Sequence, residues 1–297
     1  MSDTQEEAWT VLRLLEWTTD FFKKRGSPSA RLDAEVLLAH ARECARIELY
    51  TAFAEVPTEE QKVAFREMVR RRGEGMPVAQ LVGYKEFYSL QFRVDHNVLI
   101  PRPETEHLVI EALDRAKSMD QTKSPLQIAD VGTGSGAIAV SLAVGLPKAE
   151  FTAIDQSDAA LKIASWNAEK HKVESRIQFV NSDLLAEVSQ PEKFDLICSN
   201  PPYVSEEEYE DLIPSVRDYE PREALVSGPD GTEIIKRLLG ESYDRLKPGG
   251  RLIIELSPMI ADACADLVGQ ISELEDLRFI RDLAGHKRIL SVARVSA

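Results

Sequence analysis

Asn200-Pro201-Pro202-Tyr203 directly follows the apolar run Phe194-Asp195-Leu196-Ile197-Cys198 and one serine. Such a run reads as a buried strand, which puts the four residues in the loop at the strand's carboxyl end, where open α/β sheets bind their ligands. Two consecutive prolines fix φ, remove two N–H donors and leave their carbonyl oxygens free. The loop is then a rigid wall of acceptors beside the Asn200 carboxamide, and Tyr203 adds an aromatic face. That wall suits a planar NH₂ group conjugated to a carbonyl or a heteroaromatic ring: its two hydrogens go to the Asn200 side-chain oxygen and a proline carbonyl, with Tyr203 over its plane. The same residues also suit a plain strand terminator, so the chemistry depends on what else converges there.

A second stretch, Asp130-Val131-Gly132-Thr133-Gly134-Ser135-Gly136, ends a predicted strand at 127–131 and opens an apolar helix at 137–143. Glycines let the backbone turn sharply and approach a ligand, and the helix start supplies free N–H groups, so a nucleotide-like cofactor is implied. Asp155 ends the next strand, 23 positions after Gly132, about where an acidic residue bonds both ribose hydroxyls in such folds. Gly132-x-Gly134-x-x-Ala137 also fits the relaxed dinucleotide fingerprint, which leaves NAD(P) beside S-adenosylmethionine. Three features favour the methyl donor. Asp130, two positions before Gly132, is placed to face an amino group and to repel a pyrophosphate; Asn181-Ser182-Asp183 ends the third strand with a carboxylate for an adenine amino group; and the fourth strand ends in the Asn-Pro-Pro-Tyr wall. No His or Lys stands at a comparable strand end to serve hydride transfer as a general acid.

These loops need a sheet to hold them. From residue 126 strands and helices alternate as in a mostly parallel sheet, with strands expected at 127–131, 151–154, 177–180, 194–198, 251–255, 277–282 and 289–295. The last two are joined only through Ala284-Gly285-His286-Lys287 and should form an antiparallel terminal hairpin. Upstream, helical spacing predicts helices over 6–24, 29–42 and 58–72, the first carrying Trp9, Leu12, Leu15, Trp17 and Phe21, the second Leu32, Val36, Leu37 and His40. His40 reads as a packed histidine, and Arg70-Arg71-Arg72 as cations complementing a helix C-terminus. Aromatic and β-branched alternation from Gly83 to Leu99 predicts a hairpin turning near 89–91, a joint between two domains. Pro103 and Thr105 start a helix over 108–117, and Glu206-Glu207-Glu208 after Ser205 reads as a capped first helical turn.

The 297 residues, 43% of them hydrophobic, can bury a large domain and a small one. A net charge of −14, from 50 acidic and 36 basic residues, disfavours direct nucleic-acid binding. Cys44, Cys198 and Cys264 are scattered, without CxxC spacing, and read as reduced core residues; no metal is expected. With no signal peptide and no run of membrane-spanning length, a cytoplasmic enzyme with no membrane contact is expected.

The residues taken together resemble the HemK (PrmC) family, glutamine N5-methyltransferases that modify the Gly-Gly-Gln loop of class 1 peptide chain release factors. The likeness runs through the helical N-terminal region, the hairpin, Leu99-Ile100-Pro101-Arg102-Pro103-Glu104-Thr105-Glu106, the glycine loop, Ser199-Asn200-Pro201-Pro202-Tyr203 and Asp282-Leu283-Ala284-Gly285. The glycine and Asn-Pro-Pro-Tyr motifs are shared with amino-methylating DNA and RNA enzymes; the Pro-Arg-Pro-Glu-Thr-Glu element is the discriminating part. The resemblance implies a Rossmann-like class I methyltransferase sheet in an α/β fold. It implies a substrate-recognition domain over 1–82, a β-hairpin linker over 83–100 and an S-adenosyl-L-methionine-dependent domain over 101–297. By the likeness, Gly132, Thr133, Gly134, Ser135, Gly136, Asp155 and Asp183 contact the cofactor, with Asp130 and Asn200 beside it, and residues 200–203 hold the substrate glutamine. Some members carry a tryptophan after the adenine-site aspartate; this chain has Leu184 there, which by the likeness also contacts the cofactor. The alternative reading is an N-methyltransferase acting on an exocyclic amino group of DNA or RNA, which should bring a basic recognition surface. A non-catalytic S-adenosylmethionine sensor would have no use for Asn200 and its two prolines.

Overall fold

The computed structural model describes residues 8–119, 124–188 and 193–296. Residues 6 and 7 of the first expected helix, and the outermost ends of the expected domains, lie outside these. The chain divides into two compact units, Met1–Gly83 with Pro214–Tyr219, and Tyr84–Ile213 with Glu220–Ala297.

The first unit holds helices α1 (Val11–Lys24), α2 (Ala30–Ala41), α3 (Glu59–Gly73) and α4 (Val78–Val82). α1 starts at Val11 because the Thr10 side chain accepts from the Arg13 N–H, and α3 opens with a capping box between Thr58 and Gln61. Two expected apolar faces are corrected. In α1 the buried positions are Val11, Leu15, Thr18, Thr19 and Phe22, while Trp9 and Trp17 are exposed and Trp17 stacks on Phe21 with ring centroids 5.4 Å apart. In α2 the buried face carries two carboxylates, so Leu32 and His40 turn outward and His40 is not a packed histidine. Glu35 is enclosed by Arg31 at 2.7 Å, Arg46 at 3.1 Å and the Tyr50 hydroxyl at 2.7 Å; Asp33 is paired with Arg72 at 2.9 Å. Burial raises the Glu35 pKa, but its three hydrogen-bond donors outweigh that and leave it lowered. The arginine triplet does end a helix, and Arg70 pairs with Glu67 and Glu74.

The second unit begins with the hairpin β1 (Tyr84–Phe87) and β2 (Leu90–Arg93), which turns at Tyr88-Ser89, one residue earlier than expected, with both residues at positive φ. Phe87 and Phe92 are buried in the same core as Leu108, Val109 and Ala112 of helix α5 (Glu106–Ser118), so the expected joint packs inside this unit. The main sheet contains β3 (Gln127–Val131), β4 (Glu150–Asp155), β5 (Ile177–Asn181) and β6 (Phe194–Ser199). A short parallel pair unforeseen from the sequence, β7 (Val204–Ser205) and β8 (Val226–Gly228), stands apart, and β9 (Leu246–Glu255), β10 (Leu274–Arg281) and β11 (Lys287–Arg294) complete the main sheet. Its order is β10-β11-β9-β6-β3-β4-β5; β11 pairs antiparallel with both β10 and β9, and all other pairings are parallel. Helices α6 (Ala137–Gly145), α7 (Asp158–Lys170), α8 (Glu206–Glu210), α9 (Glu233–Arg245) and α10 (Ala261–Gly269) connect them. α8 is capped by Ser205 through a capping box with Glu208, as expected for the acidic run.

Strand order reverses between β3 and β6: the chain runs outward through β4 and β5, then returns to the other side of β3. Such a switch point leaves a crevice at the carboxyl ends of the two strands. β3 runs into the glycine loop there and β6 into Asn200-Pro201-Pro202-Tyr203. Ser199 Oγ donates to the Val131 carbonyl at 2.7 Å and ties the two strand ends together. Among the described residues no helix is long and apolar enough to cross a membrane, and no group of three or more His, Cys, Asp or Glu is placed to hold a metal ion. Cys198 and Cys264 are buried, and burial pushes both thiols up, Cys264 to about 11.

Candidate active site

A cavity of about 680 Å³ occupies the switch point, within the second unit. Val131 to Ser135, Ala137 and Ile138 form its floor, Asp155 to Ser157 and Ser182 to Leu184 one side, and Asn200, Pro202 and residues 221–224 the other. Its size is that of a small-molecule site.

Gly132, Gly134 and Gly136 all have positive φ (+73°, +55° and +79°), a conformation that only glycine adopts without strain. Their surroundings differ. A Cβ on Gly134 would meet nothing within 4 Å, so that glycine leaves a cradle that a side chain would fill; one on Gly136 would press on Ala164 at 3.1 Å, so that glycine lets α6 approach α7. Thr133 and Ser135 line the cavity yet are almost wholly buried, and the Ser135 carbonyl accepts from Asn167 Nδ2 at 2.8 Å. Asn167 also bonds both backbone groups of Arg93, strapping the hairpin to the loop.

The acidic residues take different places. Asp155 is at the rim, where its carboxylate accepts from the Gly134 N–H at 2.8 Å and the Ser157 N–H at 2.9 Å. Burial raises its pKa against the pull of those bonds. Asp183 is exposed, lines the cavity and is paired with Arg237 at 2.8 Å. Leu184 follows it at φ +52°, half-buried and lining the same wall, in place of the tryptophan that the resemblance offered. Asp130 departs from expectation: it is 1% exposed and lies behind the loop instead of lining the cavity. Its Oδ2 accepts from Thr133 Oγ1 at 2.6 Å and from the Ala139 N–H at 3.0 Å, bracing the turn, while Oδ1 has no partner.

On the opposite side, Asn200 Nδ2 donates to Thr105 Oγ1 at 3.2 Å, which leaves Oδ1 as the arm available to the cavity. Pro202 lines the cavity; Pro201 is buried. Tyr203 is not presented to the cavity as an aromatic face. Its ring packs against the core that holds Leu252, Ile254 and Leu290, and its hydroxyl points to Glu255 at 3.4 Å. Burial first, then the Glu255 charge, raises its pKa. Gly231 keeps the loop in place from outside, since a Cβ there would stand 2.7 Å from the Tyr203 carbonyl.

Sequence reasoning missed four residues that shape this site. Thr105 read only as a helix start. Glu255, buried at the end of β9, carried no motif. Glu220, 5% exposed, takes the Ile100 N–H at 3.0 Å and Arg102 Nη2 at 2.6 Å, joining the Pro-Arg-Pro element to the loop at 221–224. Asn167 had only one signal, an asparagine in mid-helix, which requires a partner when buried.

A mostly parallel sheet whose reversal point faces a glycine cradle with an acceptor wall defines a class I methyltransferase. The likeness to known proteins agrees: residues 107–216 match the Methyltransferase small domain and residues 13–83 the PrmC N-terminal domain. The hMettl16 catalytic domain, solved in complex with MAT2A 3'UTR hairpin 6, shares the fold at 16% identity and TM-score 0.55, over 78% of this chain and 82% of that one. The release factor glutamine methyltransferase of Rhodopirellula baltica is 60% identical over 295 residues, 99% of this chain and 100% of the relative. That of Chlorobaculum tepidum is 41% identical over 285 residues, 94% and 95% of the two chains. The chain belongs to the release factor glutamine methyltransferase family. Its methyl donor is S-adenosyl-L-methionine, and the open cradle over Gly134, with the Asp155 carboxylate at its edge, fits a nucleoside with a flexible tail.

Proposed function

We propose that this chain transfers the methyl group of S-adenosyl-L-methionine to the side-chain amide nitrogen, N5, of the glutamine in the Gly-Gly-Gln loop of class 1 peptide chain release factors. The observation that carries the reading is the Asn200 carboxamide, held through its NH₂ by Thr105 so that an acceptor remains for the cavity. The names of the relatives support a protein substrate. The acidic balance of the chain speaks against a DNA or RNA amino group and against direct nucleic-acid binding, and the cytoplasm, where release factors act, is the expected setting.

The bound donor supplies an electrophilic methyl group on a sulfonium. Gly132, Thr133, Gly134 and Ser135 would cradle it, with Gly136 opening the helix behind them and Asp130 as the brace beneath; Asp155 would take the ribose hydroxyls, and Asp183 the adenine amino group beside Leu184. An amide nitrogen is a poor nucleophile because its lone pair is delocalised into the carbonyl. Asn200 Oδ1 and a proline carbonyl of the Pro201-Pro202 pair take its two hydrogens, orient it and favour a more pyramidal nitrogen as the bond forms. Tyr203 supports this loop from below. Holding the nitrogen in line with the methyl group supplies up to about 7–11 kcal/mol. No strong base is needed, since the proton turns acidic only once the methyl group has arrived.

A glutamine side chain offers few contacts, so selection must come from a larger surface, and the helical first unit is assigned that task. The full chain is tested with labelled donor on intact release factor and on a short Gly-Gly-Gln peptide. Methylation of both with a much higher kcat/KM on the intact protein is expected. Equal kcat/KM removes the recognition role from the first unit, and labelling of neither overturns the functional reading.

A further inference from the structure

The Pro-Arg-Pro element takes no part in the methyl transfer itself, yet it is bonded to two separate parts of the cavity wall. Pro101 and Pro103 hold Arg102 extended, at φ −97° and ψ 145°. Successive side chains of an extended segment point to opposite sides, so Pro101 lines the cavity while Arg102 turns to Glu220. The buried Glu220 carboxylate spends both oxygens on this segment: Oε1 accepts from Arg102 Nη2 at 2.6 Å and Oε2 from the Ile100 N–H at 3.0 Å. After Glu220, Arg222–Ala224 makes a single helical turn, in which the Ala224 and Leu225 N–H groups donate to the Pro221 and Arg222 carbonyls, each at 3.0 Å. The Leu225 carbonyl in turn accepts at 2.9 Å from the N–H of Val204, the residue that follows the Asn-Pro-Pro-Tyr loop. At its other end that loop returns to the same element, where Asn200 Nδ2 donates to Thr105 Oγ1 at 3.2 Å.

These links close a ring within the second unit: from Asn200 to Thr105 by a hydrogen bond, along the chain to Arg102, across the ion pair to Glu220, along the wall to Leu225, across to Val204 and back through the loop to Asn200. Pro101, Thr105, Asn200, Pro202, Pro221 and Ala224, on or beside the ring, line the cavity. Gly134, Asp155 and Asp183 are not members of it. Its Glu220 link is the strongest, because both of its hydrogen bonds end on a carboxylate. We infer that Arg102 and Glu220 are positioning residues that close this ring and hold the wall at 221–224 at a fixed distance from the Asn200 acceptor, so that the substrate amide is confined from both sides. A reacting group misplaced by about 1 Å loses ~10²-fold in rate, which is the scale on which slack in the ring is felt. This rests on the glutamine-methylation reading above, and neither residue exchanges a proton with the reacting atoms.

The test compares the unaltered full chain with Glu220→Ala and Glu220→Gln. On each, kcat is measured with intact release factor and with a short Gly-Gly-Gln peptide, donor affinity by calorimetry, and backbone amide hydrogen exchange without substrate. Glu220→Ala cuts both bonds and leaves the Arg102 guanidinium, 30% exposed, free to turn to water, so no buried charge is stranded; Glu220→Gln keeps one acceptor. In Glu220→Ala kcat is expected to fall by about tenfold or more on both substrates, which bring the same glutamine to the ring, with donor affinity within about twofold. Glu220→Gln, with one of the two bonds, is expected to lose about threefold, half as much in free energy. A carboxylate that served stability alone would lower Tm and leave kcat unchanged well below it; that result overturns the inference, and Glu220→Gln supplies it where the Ala variant does not fold. A loss confined to intact release factor, or a fall in donor affinity that matches the fall in kcat, overturns it as well. In the exchange experiment the Ala224 and Leu225 amides of Glu220→Gln should lose protection by about threefold or more, while those of Gly134 and Ser157 keep theirs. Undiminished protection at 224 and 225 overturns the inference whether or not release factor is methylated. Lost protection there, with no methylation by the unaltered chain, overturns the functional reading and leaves the ring standing.

Discussion

Asp130 offers a quantitative test of how the glycine loop is braced. It is buried behind the loop with one oxygen holding Thr133 and Ala139 and the other without a partner. Burial, with a smaller push from the Asp155 charge, raises its pKa from 3.8 to about 6 against the pull of the two hydrogen bonds. The native value lies above the unfolded one, so the native state binds more protons in between. The stability contributed by the protonated carboxyl is fully present below about pH 4 and is lost as pH rises through about 6. A gap of about 2 pK units corresponds to about 3 kcal/mol. Asp130→Asn keeps an acceptor for Thr133 and Ala139 and cannot ionise. Relative to its own value near pH 4, the stability of the Asn variant minus that of the unaltered chain should therefore rise by about 3 kcal/mol toward pH 7. For a unit of this size, where 1 kcal/mol moves Tm by about 2–4 °C, that is a change of about 6–12 °C in the Tm difference. Scanning calorimetry of both proteins from about pH 4 to 8, at fixed ionic strength and without donor, measures it. A Tm difference that stays constant across that range refutes the argument.

Three further outcomes are expected. Asn200→Ala should keep its fold and donor affinity and lose ~10²–10³ in kcat, as an aligned polar contact to the reacting group would; near-normal turnover at saturating substrate would make the loop a mere strand terminator. Asp155→Ala should weaken donor binding by about 2–3 kcal/mol, the range for hydrogen bonds to a charged group, and calorimetry showing unchanged affinity would remove it from the donor site. Gly136→Ala combines a φ of +79° with a Cβ 3.1 Å from Ala164, so it should lower stability by about 1–3 kcal/mol. A thermal melt unchanged from the parent would mean that α6 and α7 are free to part.

The loops at 132–136 and 200–203 were legible because buried parallel strands read as continuous apolar runs and glycine or proline punctuates their ends. The partners of those loops were not. Thr105 meets Asn200 across 95 positions and Glu255 meets Tyr203 across 52, and nothing in local periodicity carries such pairings. The face of α2 departs from expectation for a related reason: periodicity assumes that charge faces water, yet Asp33 is buried against Arg72, and Glu35 against Arg46 and Arg31 of its own helix, while in α1 Thr18 and Thr19 take the buried positions and Trp9 and Trp17 are exposed. The hairpin turn was set one residue late because Tyr88 and Ser89 adopt positive φ without the Asn or Gly that usually announces it. β7 and β8 are too short to leave a pattern at all. Asp130 showed its type in the sequence but not which side of the loop its carboxylate would take.

In the proposed function the acceptor wall at Asn200 receives an amide nitrogen. Its most direct test is tandem mass spectrometry of release factor after incubation with the full chain and isotopically labelled S-adenosyl-L-methionine. One labelled methyl group is expected on the side-chain nitrogen of the Gly-Gly-Gln glutamine, with the Asn200→Ala protein leaving that residue unmodified. Label on another residue, label on the same glutamine at an undiminished rate with Asn200→Ala, or label only on added nucleic acid would contradict it.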